Sequence, residues 1–225
     1  MRRSILVLVA LAAVLAGVTH VEGAPITKVL FSEVSGSVGL QVTQSGSDPD
    51  LFYLTFVNHP IDAALVAGAP APADPSVGWD VLFGPFVLDR TMAAVEGSFS
   101  VYDLSSMAPG ADTLDVLDGL TSRLTADVTL GKLYVKQGGM FGGMDGTLTN
   151  LTVDDGGSAA FTDFAAQTDL EWGFAYSGLD LDAYLTNPPV QAGYAASAGY
   201  IQVPEPATIA LMGLGLAAAL IKRRK

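Results

Sequence analysis

The sequence predicts an all-β fold: a single antiparallel β-sandwich or jelly-roll-like domain, flanked by an N-terminal signal helix and a C-terminal transmembrane helix. Three observations carry this. Through most of the chain, apolar residues alternate with polar ones at period two, the pattern of a half-buried strand. Eight to ten such stretches can be counted, set apart by clusters of Gly, Pro, Asn, Asp and Ser. Stretches with helical spacing are few and short, which favours stacked sheets over mixed layers.

In chain order, Val38, Leu40 and Val42 alternate with Gly39, Gln41 and Thr43, and the polar cluster Ser45 to Asp50 reads as a turn. Leu51 to Val57 is dense in aromatic and β-branched residues, again a strand. Ile61 to Ala67 has room for one or two helical turns, and Gly68 to Pro75, with three prolines, reads as a loop. Val77, Trp79, Val81 and Phe83 resume the alternation; Gly84-Pro85 interrupts it, and Val95, Phe99 and Val101 continue it. Leu114, Leu117 and Leu120 have helical spacing, so a short helix is expected within Asp103 to Leu120. Leu124, Ala126, Val128 and Leu130 give way after Gly131 to Leu133 and Val135. The change of parity predicts a β-bulge at Gly131. A glycine-rich loop, Gln137 to Gly146, then leads into a partner strand, Thr147 to Val153. Leu170, Trp172, Phe174 and Tyr176 form the cleanest apolar edge, and Val190 to Val203 reads as the last strand.

The two ends are of a different kind. Arg2 and Arg3 precede an apolar run, Ile5 to Val18, and Val21 and Gly23 are small residues at cleavage positions. Residues 1–23 therefore read as a secretory signal peptide, handled by the secretory translocase and signal peptidase. At the other end, 203–225 reads V-P-E-P, then an uncharged run from Ala207 to Ile221, then Lys222, Arg223, Arg224 and Lys225. As a helix the uncharged run spans roughly 22 Å, short against a hydrocarbon core of about 30 Å. The basic end would stay on the cytoplasmic side, holding the tail in the membrane.

This tail resembles the PEP-CTERM sorting signal of bacterial exported proteins: Pro204, Glu205 and Pro206, an apolar helix, and Lys222 to Lys225 at the extreme terminus. The resemblance implies recognition of the Pro-Glu-Pro motif by an exosortase-type membrane protease. It also implies export to the cell surface or an extracellular polysaccharide matrix.

Between the two ends, residues 24–202 are long enough for one domain with a sizeable core. This body holds 21 acidic and five basic residues, a net charge of −16. Nucleic acid and anionic membrane surfaces are poor partners, because like charge repels them; divalent cations and neutral or cationic polymers are better candidates. With no cysteine in the chain, disulfides and thiolate zinc sites are ruled out.

Little in the body carries catalytic chemistry. His59 is its one histidine and no G-x-S-x-G elbow accompanies it. Glu171 beside Trp172 suits a sugar-cleaving site, and Lys132, Tyr134 and Lys136 share a strand face suited to an anionic sugar or to pairing across the sheet. Asp154 and Asp155 head the Asp-rich turns that can offer calcium several oxygens. The expectation is a non-enzymatic surface protein, structural, adhesive or polysaccharide-binding; the alternative is a secreted hydrolase of matrix polysaccharide.

Overall fold

The computed structural model describes residues 26–33, 39–57, 59–106, 113–129, 131–189 and 191–204. Thr27–Val203 forms one compact unit; the chain's two ends form another, of which only Ile26 and Pro204 are described. The signal peptide, Glu205, Pro206, the tail helix and Lys222 to Lys225 lie outside the described residues. Among the described residues no helix is long and apolar enough to cross a membrane.

The strands are β1 (Lys28–Ser32), β2 (Leu40–Gln44), β3 (Leu51–Phe56), β4 (His59–Val66), β5 (Ala69–Pro70), β6 (Asp80–Phe83), β7 (Phe86–Asp89), β8 (Ala94–Glu96), β9 (Phe99–Ser106), β10 (Thr113–Asp118), β11 (Thr121–Thr129), β12 (Lys132–Lys136), β13 (Phe141–Val153), β14 (Leu170–Ser177) and β15 (Gly193–Gln202). Helix α1 (Ala159–Ala165) joins β13 to β14, and α2 (Leu181–Thr186) joins β14 to β15.

The pairings make a closed wall. Strands β1 and β2, β3 and β4, β6 and β7, β9 and β10, and β11 and β12 run end to end as five wall strands, each broken near its middle. With β13, β14 and β15 they make eight. Each pairs antiparallel with the next in sequence, once in an upper storey (β1–β4, β4–β6, β6–β10, β10–β11, β11–β13) and once in a lower one (β2–β3, β3–β7, β7–β9, β9–β12, β12–β13). β13–β14 and β14–β15 follow, and β15 returns to both β1 and β2. Every connection is between sequence neighbours, so the expected jelly roll, which needs crossing connections, is replaced by an up-and-down meander closed on itself. An open sandwich leaves edge strands; closure removes them.

Alternation decides which side faces in. Leu124, Ala126 and Val128 are buried, while Thr125, Asp127 and Thr129 are exposed. Apolar in and polar out is the reverse of a transmembrane barrel. Aromatic rings fill the waist. Phe56 meets Phe174 edge-on at 4.5 Å and Phe83 at 5.3 Å, and Trp172 lies 5.1 Å from Phe83 and stacks on Phe86 at 6.3 Å. Burying such a ring is worth about 1.5–3 kcal/mol. The helices close the ends: Phe161 of α1 packs on Trp79 at 4.9 Å, and Tyr184 of α2 packs on Phe52 at 6.2 Å and donates its hydroxyl to the Val42 carbonyl at 3.1 Å.

Asp74 anchors α1. Its Oδ1 accepts from Ser158 Oγ at 2.6 Å and from Ser76 N and Oγ at 2.9 and 2.6 Å; its Oδ2 accepts from Ala159 N at 3.0 Å. Burial pushes this carboxyl up, but the hydrogen bonds from Ser158 and Ser76 outweigh it and hold Asp74 below its ordinary pKa. A carboxylate at a helix N-terminus also meets the favourable end of the dipole.

Several local expectations are corrected. Ile61 to Val66 belongs to strand β4 and Ala67 to the turn after it, not to a helix, because closing the upper storey demands pairing with β1. The helix expected around Leu114 is strand β10. Leu114 and Val116 alternate inward, a register shift follows at Leu117, and Leu120 sits fully exposed in the turn beyond. Val95 to Val101 is not one strand: Gly97, at φ 63°, folds β8 back on β9. The bulge at Gly131 is present. Thr129 pairs with Thr147 but Leu133 with Met144, so three residues face two.

The glycine-rich run is the instructive correction. Expected as a hairpin loop to Gly146, it is strand from Phe141 onward. Its glycines clear space for the interior. A Cβ on Gly146 would lie 2.5 Å from the Thr129 carbonyl oxygen and 2.7 Å from Trp172 Nε1, and one on Gly142 would strike the Tyr134 carbonyl and the Tyr176 ring. Gly146→Ala should therefore destabilise the barrel by about 2 kcal/mol or more, as overpacking does. Gly46→Ala, with open space around it, should stay within about 0.5 kcal/mol of the parent. Equal urea midpoints for the two variants would contradict this reading of the run.

Candidate functional site

Outward-facing residues of β12–β15 build a trough, and register sets its rows. Tyr134 lies opposite Gly143, which is opposite Ala175, which is opposite Ala198. In the next row stand Asp145, Gly173 and Tyr200, and in the third Thr147, Glu171 and Gln202. Small residues at Gly143, Gly173, Ala175 and Ala198 make the floor, and Tyr134 and Tyr200 make the banks. Tyr200 leans over Gly173, where a Cβ would lie 2.5 Å from its ring.

A concavity of about 320 Å³ lies between the two tyrosines. A second of about 420 Å³ shares Tyr134, Asp145 and Tyr200 with it and runs towards Lys132 and Glu171. A third of about 450 Å³ shares Ala175 and Ala198 and runs towards Ser32, Glu33 and Ser177. Together they form a continuous depression across the strands.

Its charges are mostly acceptors. Asp145 is exposed, and among the described residues no donor is found on its carboxylate. Glu171 takes Gln202 Nε2 on Oε2 at 2.9 Å. Partial burial, then the nearby carboxylates of Glu171 and Asp145, raise the Tyr200 hydroxyl above its ordinary pKa. Lys132 is drawn aside by Glu96 at 3.4 Å, which raises its pKa.

The residues singled out in the sequence fall as follows. Lys132, Tyr134 and Lys136 share the outer face, but both lysines have protein partners: Lys132 has Glu96, and Lys136 lies 5.4 Å over the Phe99 ring. Glu171 faces the trough while Trp172, its neighbour in the strand, has its side chain buried in the core. Asp154 pairs with Arg123 at 2.7 Å, and Asp155 accepts from Gly157 N at 3.0 Å and Thr162 Oγ1 at 3.1 Å. Backbone and Thr162 hydrogen bonds hold the Asp155 carboxyl below its ordinary pKa. Among the described residues no group of three or more His, Cys, Asp or Glu is placed to hold a metal ion. Sequence reasoning missed Asp145, Gly173 and Tyr200. Their signal is the coincidence of small residues at facing positions on three strands, which is visible only once register is known.

His59 lies inside the wall, fully buried against Phe31 at 5.9 Å and Phe174 at 5.5 Å, with Nε2 2.7 Å from Ser197 Oγ. An imidazole sealed among phenyl rings supports packing and cannot meet a substrate.

Residues 202–225 match the PEP-CTERM protein-sorting motif. The chain thus carries a sorting signal that supports export and membrane-associated sorting through an exosortase system. No curated protein and no solved structure matches the chain. Of the matched segment Gln202, Val203 and Pro204 are described; β15 ends at Gln202, and Val203 N donates to the Thr27 carbonyl at 3.0 Å.

Burial lowers the His59 pKa, against the opposing pull of Glu33. Below the unfolded value of about 6.5 the unfolded chain binds a proton that the barrel refuses. Stability is therefore complete above that pH and is lost as pH falls towards the folded value. Melting temperature should drop between pH 7 and pH 5.5 in the parent and markedly less in His59→Gln. Parallel profiles for the two proteins would count against the assignment.

Proposed function

We propose that this is an exported protein of the cell surface or extracellular matrix whose barrel binds polysaccharide in the outer trough, with a structural or adhesive role. The single observation behind this reading is the trough itself: two tyrosines facing across a floor of glycine and alanine, rimmed by hydrogen-bond acceptors. Tyrosine offers a flat apolar face with a polar rim, which suits the apolar faces and hydroxyl edges of a sugar ring. A floor running across several strands accommodates a chain rather than a lone small molecule. The sorting motif supports delivery to the place where such polymers lie.

On this reading an exosortase cuts the tail near Pro204, Glu205 and Pro206. These prolines keep the chain out of a β-ladder and in extended or turn shapes. A second reading, hydrolysis of matrix polysaccharide, is favoured by Glu171 and Asp145 facing one groove, since glycoside hydrolysis uses two carboxylates.

One preparation tests all of this. Protein released by its native host should have lost, besides its signal peptide, about 20 residues from its C-terminus by intact mass, the length of the tail helix and basic end. It should bind matrix polysaccharide, and Tyr134→Ala with Tyr200→Ala should weaken binding by about tenfold or more while leaving the melting temperature within a few degrees. Unchanged binding in the double variant would remove the trough from the account. A rise in reducing ends that Glu171→Gln abolishes would replace binding with hydrolysis.

A further inference from the structure

We propose that the trough selects polysaccharide carrying free amino groups, that is, amino-sugar units without acetyl caps; the proposal rests on the polysaccharide reading above. Charge complementarity carries it. The lining holds three carboxylates, Glu33, Asp145 and Glu171, and one cation, Lys132. Lys132 is engaged by Glu96 of β8, away from the floor. Lys28 lies beyond Gln202 on the neighbouring strand and does not line the trough. Glu33 is committed to Ser197 N, but Asp145 has no donor among the described residues and Glu171 has one oxygen to spare.

The open groups are therefore acceptors with negative charge, Asp145 across Gly173 from Tyr200 and Glu171 in the next row. A ligand that satisfies them brings donors, and most strongly a charged donor. An ammonium beside Tyr200 can hydrogen-bond to a carboxylate and meet the negative face of the ring together. An acetylated amine keeps one N–H and loses the charge. A uronic acid adds a further negative charge beside these carboxylates and is repelled. The body's net charge of −16 draws a cationic polymer to the surface from every side. The two carboxylates at the trough confer the preference for where it sits.

The test uses the full-length chain in detergent, titrated calorimetrically with glucosamine hexamer and N-acetylglucosamine hexamer at about 0.15 M salt. The unacetylated hexamer should bind at least about tenfold more tightly, the scale of a charge-assisted hydrogen bond. Asp145→Asn with Glu171→Gln should erase that preference, weakening the unacetylated hexamer far more than the acetylated one until the two bind about equally. Asp115→Asn with Asp127→Asn removes the same charge from another part of the wall and should keep the preference. Equal or tighter binding of the acetylated hexamer overturns the proposal. So does an equal loss in the control pair, which would mean attraction by net charge alone. Binding of neutral or acetylated sugar only defeats this proposal and leaves the polysaccharide reading standing; binding of neither defeats both.

Discussion

Strand β15 has to hold both ends of the sheet, and the barrel exists only because it can. Its C-terminal half lies between β14 and β1, and its N-terminal residues Gly193 to Ala195 pair with β2. Between β1 and β2 the ladder is interrupted. Glu33 bridges the gap: its N donates to the Ser197 carbonyl at 3.2 Å, and its carboxylate accepts from Ser197 N. Gly39 gives the space for this, since a Cβ there would strike Ser197 and the Glu33 carboxylate. From the inside, His59 holds the Ser197 hydroxyl. Four residues thus seal a seam where backbone pairing alone is insufficient, joining segments some 160 positions apart in the chain. Contacts of such separation carry the loop-closure entropy that makes β meanders slow to close.

Closure has consequences on both faces of the wall. Inside, a small barrel must be filled by side chains, and Phe31, Phe56, Phe83, Phe86, Trp172 and Phe174 do so with His59 among them. These rings need room at the backbone, which Gly142, Gly146 and Gly199 leave. Outside, Gly143 and Gly173 leave the neighbouring strands bare, and that bare floor is the trough. The same glycine-rich segment therefore serves packing on one face and a binding surface on the other, which accounts for so many glycines in a strand where each weakens the ladder.

The all-β class was legible from alternation alone, and so were the buried sets Leu124, Ala126, Val128 and Leu170, Trp172, Phe174, Tyr176. The bulge at Gly131 was legible too, because one extra residue flips parity. Closure was not. Period-two patterning says which face is buried but not which strand is the neighbour, so a sandwich and a barrel look alike. Helix α1 was hidden because its signals, Ser158 as N-cap and the pair Phe161 and Phe164 at i, i+3, fill a single short stretch; its main anchor, Asp74, is far away in sequence. The trough was half legible. Tyr134 and Lys132 stood out on their strand, whereas Tyr200 and Asp145 join them only through register. The sorting motif was readable because it works as a linear signal.

Sequence, seam and site meet in one claim: the wall is closed, and β15 is an interior strand on both sides. Amide hydrogen exchange measures this directly. In a closed barrel the amides of β1 and β15, Val29 to Phe31 and Ala198 to Ile201, exchange only through global unfolding, at the same free energy as Phe174 in β14. Uniform protection across these three strands is the result the account predicts. Fast exchange along β1 and one flank of β15, with β14 still protected, would show an open sheet with free edges and would contradict it.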